Sequence, residues 1–125
     1  MFKDTKAFSS FSATDLQKAK EFYGQTLGLE VSQSEEGLEL KLAGGGSVFI
    51  YPKPNHTPAS FTVLNFKVAD IEQAVNDLSN SGVRFEKYDG DIKTNEQGIH
   101  HGPPGPSIAW FKDPAENILS VVEEK

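Results

Sequence analysis

The 125-residue chain has no cysteine, an excess of acidic over basic residues and no long apolar run. Without cysteine there is no disulfide, no thiolate zinc site and no thiol nucleophile. Eighteen acidic and 12 basic side chains give a net charge of −6, which repels nucleic-acid phosphates and anionic lipids. No stretch approaches the roughly 20 apolar residues that span a bilayer, and the first residues lack the apolar core of a signal peptide. We therefore expect a cytoplasmic protein that binds neither nucleic acid nor membrane.

The first half of the chain has the pattern of one strand, one helix and three further strands. The segment TDLQKAKEFYGQTLGL predicts the helix, because Asp15 is a suitable N-cap, apolar residues recur at helical spacing and Gly28 can end it. A strand is predicted at residues 7–13, before this helix. Three more follow it in EVSQS, LELKL and SVFIYP, separated by glycine-containing turns.

The second half repeats this order. FTVLNFKV predicts a strand, DIEQAVNDLSNSG a helix capped by Asp70, and VRFEKY, SIAWFK and NILSVVE three more strands. Asp15 and Asp70 lie 55 residues apart, and neighbouring apolar positions keep the same offset. The sequence thus predicts an α+β fold of two tandem βαβββ modules, residues 5–52 and 61–125, joined by a linker at 53–60. One face of each sheet would be covered by its helix, and the other faces would form a curved mixed sheet around a shared cleft.

Two motifs resemble a known family. DLQKAKEFYGQTLGL is similar to the "Dl..a..FY...LGl" signature of the vicinal oxygen chelate superfamily, and IAWFKDPAENILSVVEE resembles its closing "DPdGn" segment. The superfamily includes glyoxalase I, bleomycin resistance proteins, extradiol dioxygenases and methylmalonyl-CoA epimerase. The resemblance covers nearly the whole chain and implies the glyoxalase/bleomycin resistance fold. It leaves function open, since members range from lyases to binding proteins without catalysis.

The resemblance also implies where a catalytic member would hold its divalent metal. The first-strand position lies seven residues before each capping aspartate, and the last lies seven residues after the Asp of the Asp-Pro corner. The fourth falls in SVFIYP, at Ile50, or at Tyr51 if the strand register is shifted by one. The implied positions are therefore Phe8, Ile50, Val63 and Ser120. Three apolar side chains and one hydroxyl are poor ligands for Zn²⁺, Ni²⁺, Fe²⁺ or Mn²⁺, so we expect no metal and no cofactor.

Strand alternation extends this set to a lining of the expected cleft. Trp110, three residues before the Asp-Pro corner, is where relatives contact a ligand, although it could instead fill the core. Residues 88–107 form a long connection that we interpret as a lid carrying His100 and His101, stiffened by Pro103, Pro104 and Pro106. The candidate ligand-binding residues are Phe8, Ser10, Ile50, Val63, Asn65, His100, His101, Trp110 and Ser120.

Three functions are consistent with these features. The first is a metal-free small-molecule-binding protein that sequesters a planar or apolar ligand in the cleft. The second is a metal-dependent lyase or dioxygenase with relocated metal ligands, which only the pair of adjacent histidines supports. The third is a structural or partner-binding domain with a collapsed cleft. Because sheet edges in such folds are often covered by a second chain, we also expect a homodimer.

Overall fold

A computed structural model describes residues 1–103 and 105–124, so Pro104 and Lys125, with the stiffening role expected of Pro104, lie outside the described residues. The chain forms two compact units, Met1–Thr57 and Pro58–Lys125, whose boundary falls within residues 53–60. No helix in the described part of the chain is long and apolar enough to cross a membrane. Each unit contains one four-stranded mixed sheet and one principal helix, which confirms the α+β fold.

The first unit contains a sheet with strand order β1-β4-β3-β2. β1 runs parallel to β4, and the other pairs are antiparallel. Asp15 caps α1 as expected, accepting a hydrogen bond from the Lys18 amide at 3.1 Å. A π-helical turn follows α1 and buries Tyr23 completely, with its ring 6.2 Å from that of Phe11 in β1. The elements are β1 (Ser9–Ala13), α1 (Leu16–Glu21), the π-turn (Phe22–Thr26), β2 (Glu30–Gln33), β3 (Leu38–Lys41) and β4 (Ser47–Pro52).

The second unit contains a sheet with the equivalent order β5-β8-β7-β6. Asp70 caps α2, accepting from the Gln73 amide at 3.1 Å, and Glu123 Oε2 accepts from the Ile71 amide at 2.8 Å. The carboxylate of β8 thus satisfies an N–H that the helix itself leaves unpaired. The elements are β5 (Thr62–Lys67), α2 (Ile71–Asn80), a short 3-10 turn (Gly90–Ile92), β6 (Ile99–His100), β7 (Ser107–Lys112) and β8 (Ile118–Glu123).

Each sheet has one face against its helix and one face without a helix, which we call the helix-free face. The helix-covered faces hold the cores, with Leu38, Leu40, Val48 and Ile50 in the first unit and Ala109, Phe111, Leu119 and Val121 in the second. Because side chains alternate along a strand, the intervening residues lie on the helix-free faces. In the first unit these are Ser10, Ser12, Phe49 and Tyr51, and in the second Asn65, His100, Trp110 and Ser120.

The fourth strand of the second sheet differs from the prediction. VRFEKY is not a regular strand, since only Phe85 forms an isolated bridge, to Phe111. The edge of the sheet is instead β6, which pairs with β7 through Ile99 and Ala109. Ile99 is 1% exposed and Phe85 7%, so both segments bury an apolar side chain beside β7, but only β6 forms a two-residue ladder with it. Residues 88–107, expected to be a lid, therefore contribute a strand to the sheet.

Candidate ligand-binding site

An aromatic cluster lies on the helix-free face of the second sheet. The ring of Trp110 in β7 lies 5.3 Å from that of Tyr88, nearly perpendicular to it at 78°. His100 lies in β6, the strand that pairs with β7 at the edge of the sheet. The centroid of its ring is 6.4 Å from that of the indole, and the two ring planes form an angle of 36°. All three side chains are only partly buried. The cluster therefore presents aromatic surface that a planar molecule can contact.

A polar pair adjoins the cluster on the same face. Asn65 in β5 is in register with Ser120 in β8, which is in register with Trp110 in β7. Ser120 is fully buried, and its hydroxyl donates to Asn65 Oδ1 at 2.5 Å. Asn65 itself is exposed. The row from β5 to β7 thus combines an exposed amide, a buried hydroxyl and an indole.

The position of His100 follows from the turn before β6. Gly98 has a φ of 89°, and a Cβ at this position would lie 2.8 Å from Phe85 Cβ, so the close approach requires glycine. His100 Nδ1 lies 3.0 Å from the Lys93 carbonyl oxygen, which can only accept. Nδ1 must therefore carry the proton, and Nε2 of the neutral ring is left as an acceptor.

Tyr88 remains a neutral phenol well into the alkaline range. Its pKa is raised above 10.0, first by burial and then by the nearby carboxylate of Glu86, while Lys112 acts in the opposite direction. Glu86 and Lys112 face each other with 3.8 Å between Oε1 and Nζ. The Tyr88 amide donates to Thr94 Oγ1 at 2.9 Å, which fixes the chain beside Trp110.

The structure separates the two adjacent histidines. His101 Nδ1 lies 3.2 Å from the hydroxyl of Ser107, which is in register with Glu123 on the helix-covered side. Of the pair, only His100 contacts Trp110. The two imidazoles therefore have different partners.

The prediction that the side chain of Ile50 faces the cleft is wrong. Ile50 is fully buried on the helix-covered face, in register with Leu38, and the shifted register places Tyr51 on the helix-free face beside Ser12. Phe8 precedes β1 and is 68% exposed. Val63 lies at an irregularity in β5, between Thr62 and Leu64, where the simple alternation is interrupted. Ser10 lies on the helix-free face of the first sheet.

Two contacts in the structure have no signal in the sequence. Tyr88 was assigned to the end of a strand, and nothing in VRFEKY indicates that it meets Trp110. In the first unit, Ser12 Oγ lies 2.6 Å from His56 Nδ1, which joins β1 to the segment after β4. The 44-residue separation of this pair gives no local signal.

A groove of about 550 Å³ lies elsewhere in the second unit, beside the carboxyl end of α2. Lys87 Nζ donates to the Glu96 carbonyl oxygen within its lining. The other polar residues of the groove, including Arg84 and Gln97, are exposed, and its one aromatic residue, Phe85, is buried. The groove offers no aromatic surface, so the Trp110 face is the better candidate.

Comparison with known proteins identifies the family. The model of the Glyoxalase/Bleomycin resistance protein/Dioxygenase superfamily matches residues 10–121. The chain belongs to this superfamily. The chain is similar to the uncharacterized protein YraH of Bacillus subtilis (strain 168). The two sequences are 27% identical over 122 residues, which cover 86% of this chain and 88% of YraH.

Solved structures agree with the fold. A glyoxalase family protein from Enterococcus faecalis superimposes with a TM-score of 0.68 at 25% identity, covering 98% of this chain and 100% of that one. TnmS3, an antibiotic binding protein from Streptomyces sp. CB03234, has a TM-score of 0.66 at 23% identity, with 98% of both chains covered. At such identities the second similarity shows the shared fold alone.

The superfamily's catalytic metal does not fit the residues of this chain. Phe8 and Val63 have no donor atom, and the Ser120 hydroxyl donates its proton to Asn65. At the remaining position the helix-free face offers the phenol of Tyr51 or the ring of Phe49, and neither is the imidazole or carboxylate that such metals prefer. Within residues 1–103 and 105–124, no group of three or more His, Asp or Glu side chains could hold a metal ion.

Proposed function

We propose that this protein is a metal-free binder of a small planar aromatic molecule, which it holds against Trp110 on the helix-free face of the second sheet. The observation that carries the proposal is the partly exposed indole flanked by Tyr88 and His100. Aromatic rings in offset or edge-to-face contact contribute about 0.5–1.5 kcal/mol each beyond the area they bury. Three such rings give a planar ligand a larger gain than an aliphatic one.

The neighbouring groups support binding rather than catalysis. Ser120 is hydrogen-bonded to an amide, which is not a base that could activate it as a nucleophile. The pKa of Tyr88 is raised from 10.0 by burial, so its phenol is not activated for proton transfer near neutral pH. TnmS3, an antibiotic binding protein, has the same fold, which is therefore suited to binding a small molecule.

The test uses purified protein and three planar probes of different charge: 9-fluorenone, acridine orange and 8-anilinonaphthalene-1-sulfonate. At a hundredfold excess over its Kd, a bound probe stabilises the fold by about 2.7 kcal/mol, which raises Tm by roughly 10 °C for a domain of this size. Isothermal titration calorimetry then gives the Kd of each probe that shifts Tm.

Trp110→Leu is expected to weaken binding at least tenfold, as the loss of stacking and buried area predicts. Phe2→Leu is the matched control, because Phe2 is an aromatic residue that is 74% exposed outside both sheets. The proposal fails if no probe raises Tm, or if Trp110→Leu binds as tightly as the wild type. Stoichiometric Ni, Zn, Fe or Mn that survives dialysis would instead favour a metal-dependent enzyme.

A further inference from the structure

The amide of Asn65 has a defined orientation. Its Oδ1 accepts the hydroxyl proton of Ser120, a residue with no exposed surface. A buried hydroxyl without an acceptor costs free energy, so this bond holds the amide in one of its two flipped orientations. Since Nδ2 and Oδ1 diverge from the same carbon, Nδ2 does not face Ser120 and can donate to another acceptor.

Nδ2 of Asn65 is available to a ligand. The side chain is exposed, and within the described ranges no protein group accepts a hydrogen bond from Nδ2. Asn65 and Trp110 are separated by one intervening strand, so their backbones lie roughly 10 Å apart, and the amide leans toward Ser120 between them. A ring system of two or three fused rings on Trp110 is long enough to span this separation.

The charges on this face favour an uncharged acceptor. Lys67 and Lys112 lie on the same face as Asn65 and Trp110, and each is paired with a carboxylate, Glu124 at 3.9 Å and Glu86 at 3.8 Å. The exposed pair of Lys67 is weak and that of Lys112 is partly buried, and both pairs reduce the attraction of the lysines for an anionic ligand. An amide N–H is well matched to a neutral carbonyl oxygen.

Building on the proposed function, we infer that Asn65 Nδ2 determines specificity by donating to a carbonyl oxygen of the planar ligand held on Trp110. Ser120 is a positioning residue, since it acts by fixing the amide. The ligand class is thereby narrowed to neutral fused-ring aromatics that carry a carbonyl group at the edge of the ring system.

The test compares 9-fluorenone with fluorene, which has the same ring skeleton without the carbonyl. The wild type is expected to bind fluorenone about fivefold more tightly, the value of one neutral hydrogen bond. Asn65→Asp keeps an acceptor for Ser120 but has no N–H, so the preference for fluorenone should disappear while the Kd for fluorene stays within twofold. Ser120→Ala frees the amide to flip and should reduce the preference without abolishing it.

Asn55→Asp is the matched control, because it makes the same change of charge at an exposed position in the segment that connects β4 to β5. Circular dichroism and Tm establish that each variant folds. If none of the planar probes binds the wild type, or Trp110→Leu binds them unchanged, the proposed function and this inference both fail. If acridine orange or 8-anilinonaphthalene-1-sulfonate binds but fluorenone and fluorene do not, the inference alone is overturned. If binding requires Trp110 but the wild type and Asn65→Asp show the same ratio of affinities, the inference alone is overturned.

Discussion

The carboxylate of Asp113 holds the turn that joins β7 to β8. Its Oδ1 accepts from the backbone amides of Ala115 at 2.8 Å and Asn117 at 2.9 Å, and its Oδ2 accepts from Asn117 Nδ2 at 3.0 Å. Asp113 is 4% and Asn117 2% exposed, so water does not readily replace these bonds. This turn sets the register in which Trp110 meets Ser120.

Asp113→Ala leaves those three N–H donors without their acceptor. At about 1 kcal/mol for each net hydrogen bond, the change is expected to lower the free energy of unfolding by about 3 kcal/mol. Small domains are stable by only about 5–15 kcal/mol, so this loss is a large fraction of the total. The variant should therefore unfold at a clearly lower urea concentration.

Urea unfolding can be followed by the fluorescence of Trp110, the only tryptophan of the chain. Asp89→Ala is the control, since it removes the same charge from an exposed residue whose side chain makes no capping hydrogen bond, and it should change stability by less than about 0.5 kcal/mol. A loss below about 1 kcal/mol for Asp113→Ala, or equal losses for both variants, would refute the assignment of the turn's stability to the carboxylate.

Three further predictions concern the strand register, one strained residue and one phenol. Ile50→Ala should cost about 2–5 kcal/mol in urea unfolding because it empties the core, whereas Tyr51→Ala should cost less than half as much because Tyr51 is 37% exposed. Similar costs would contradict the observed register. Glu116→Gly should raise stability by about 1 kcal/mol, since Glu116 is exposed at a φ of 69° that disfavours a side chain; no gain in urea midpoint would show that the residue is unstrained. Because burial raises the pKa of Tyr88 in the folded state, its contribution to stability is complete below pH 10.0 and is lost as the pH rises through the folded pKa. The unfolding free energy of Tyr88→Phe, measured over that range, should therefore fall less steeply than that of the wild type, and parallel curves would contradict the shift.

Local signals in the sequence predict the helices well, but they do not determine which strands pair or in which register. Asp15 and Asp70 cap their helices because capping depends on residues three positions away. The register of β4 was ambiguous because SVFIYP is apolar on both faces, so alternation could not distinguish Ile50 from Tyr51. The edge strand was misplaced because VRFEKY has the better strand composition, whereas the pairing with β7 is divided between Phe85 and the short strand β6.

The positions of the candidate residues can be predicted where these residues lie on regular strands. Asn65, Trp110 and Ser120 were named from alternation and the spacing of the Asp-Pro corner, and the structure brings them into one row. Tyr88 was missed because it lies in an irregular segment whose path depends on tertiary contacts. Its hydrogen bond to Thr94 and its contact with Trp110 have no periodic signature in the sequence.

The two units share one topology but offer different helix-free faces to a ligand. Ser10 and Asn65 each lie five residues before their helix cap, so the row Asn65, Ser120 and Trp110 corresponds to Ser10, Phe49 and Glu39 in the first sheet. There an exposed carboxylate takes the place of the indole. A hydrated carboxylate cannot stack on an aromatic ring, and removing its water is costly. Since the two backbones follow the same plan, it is the side chains of this row that make the second sheet the better face for the planar ligand we propose.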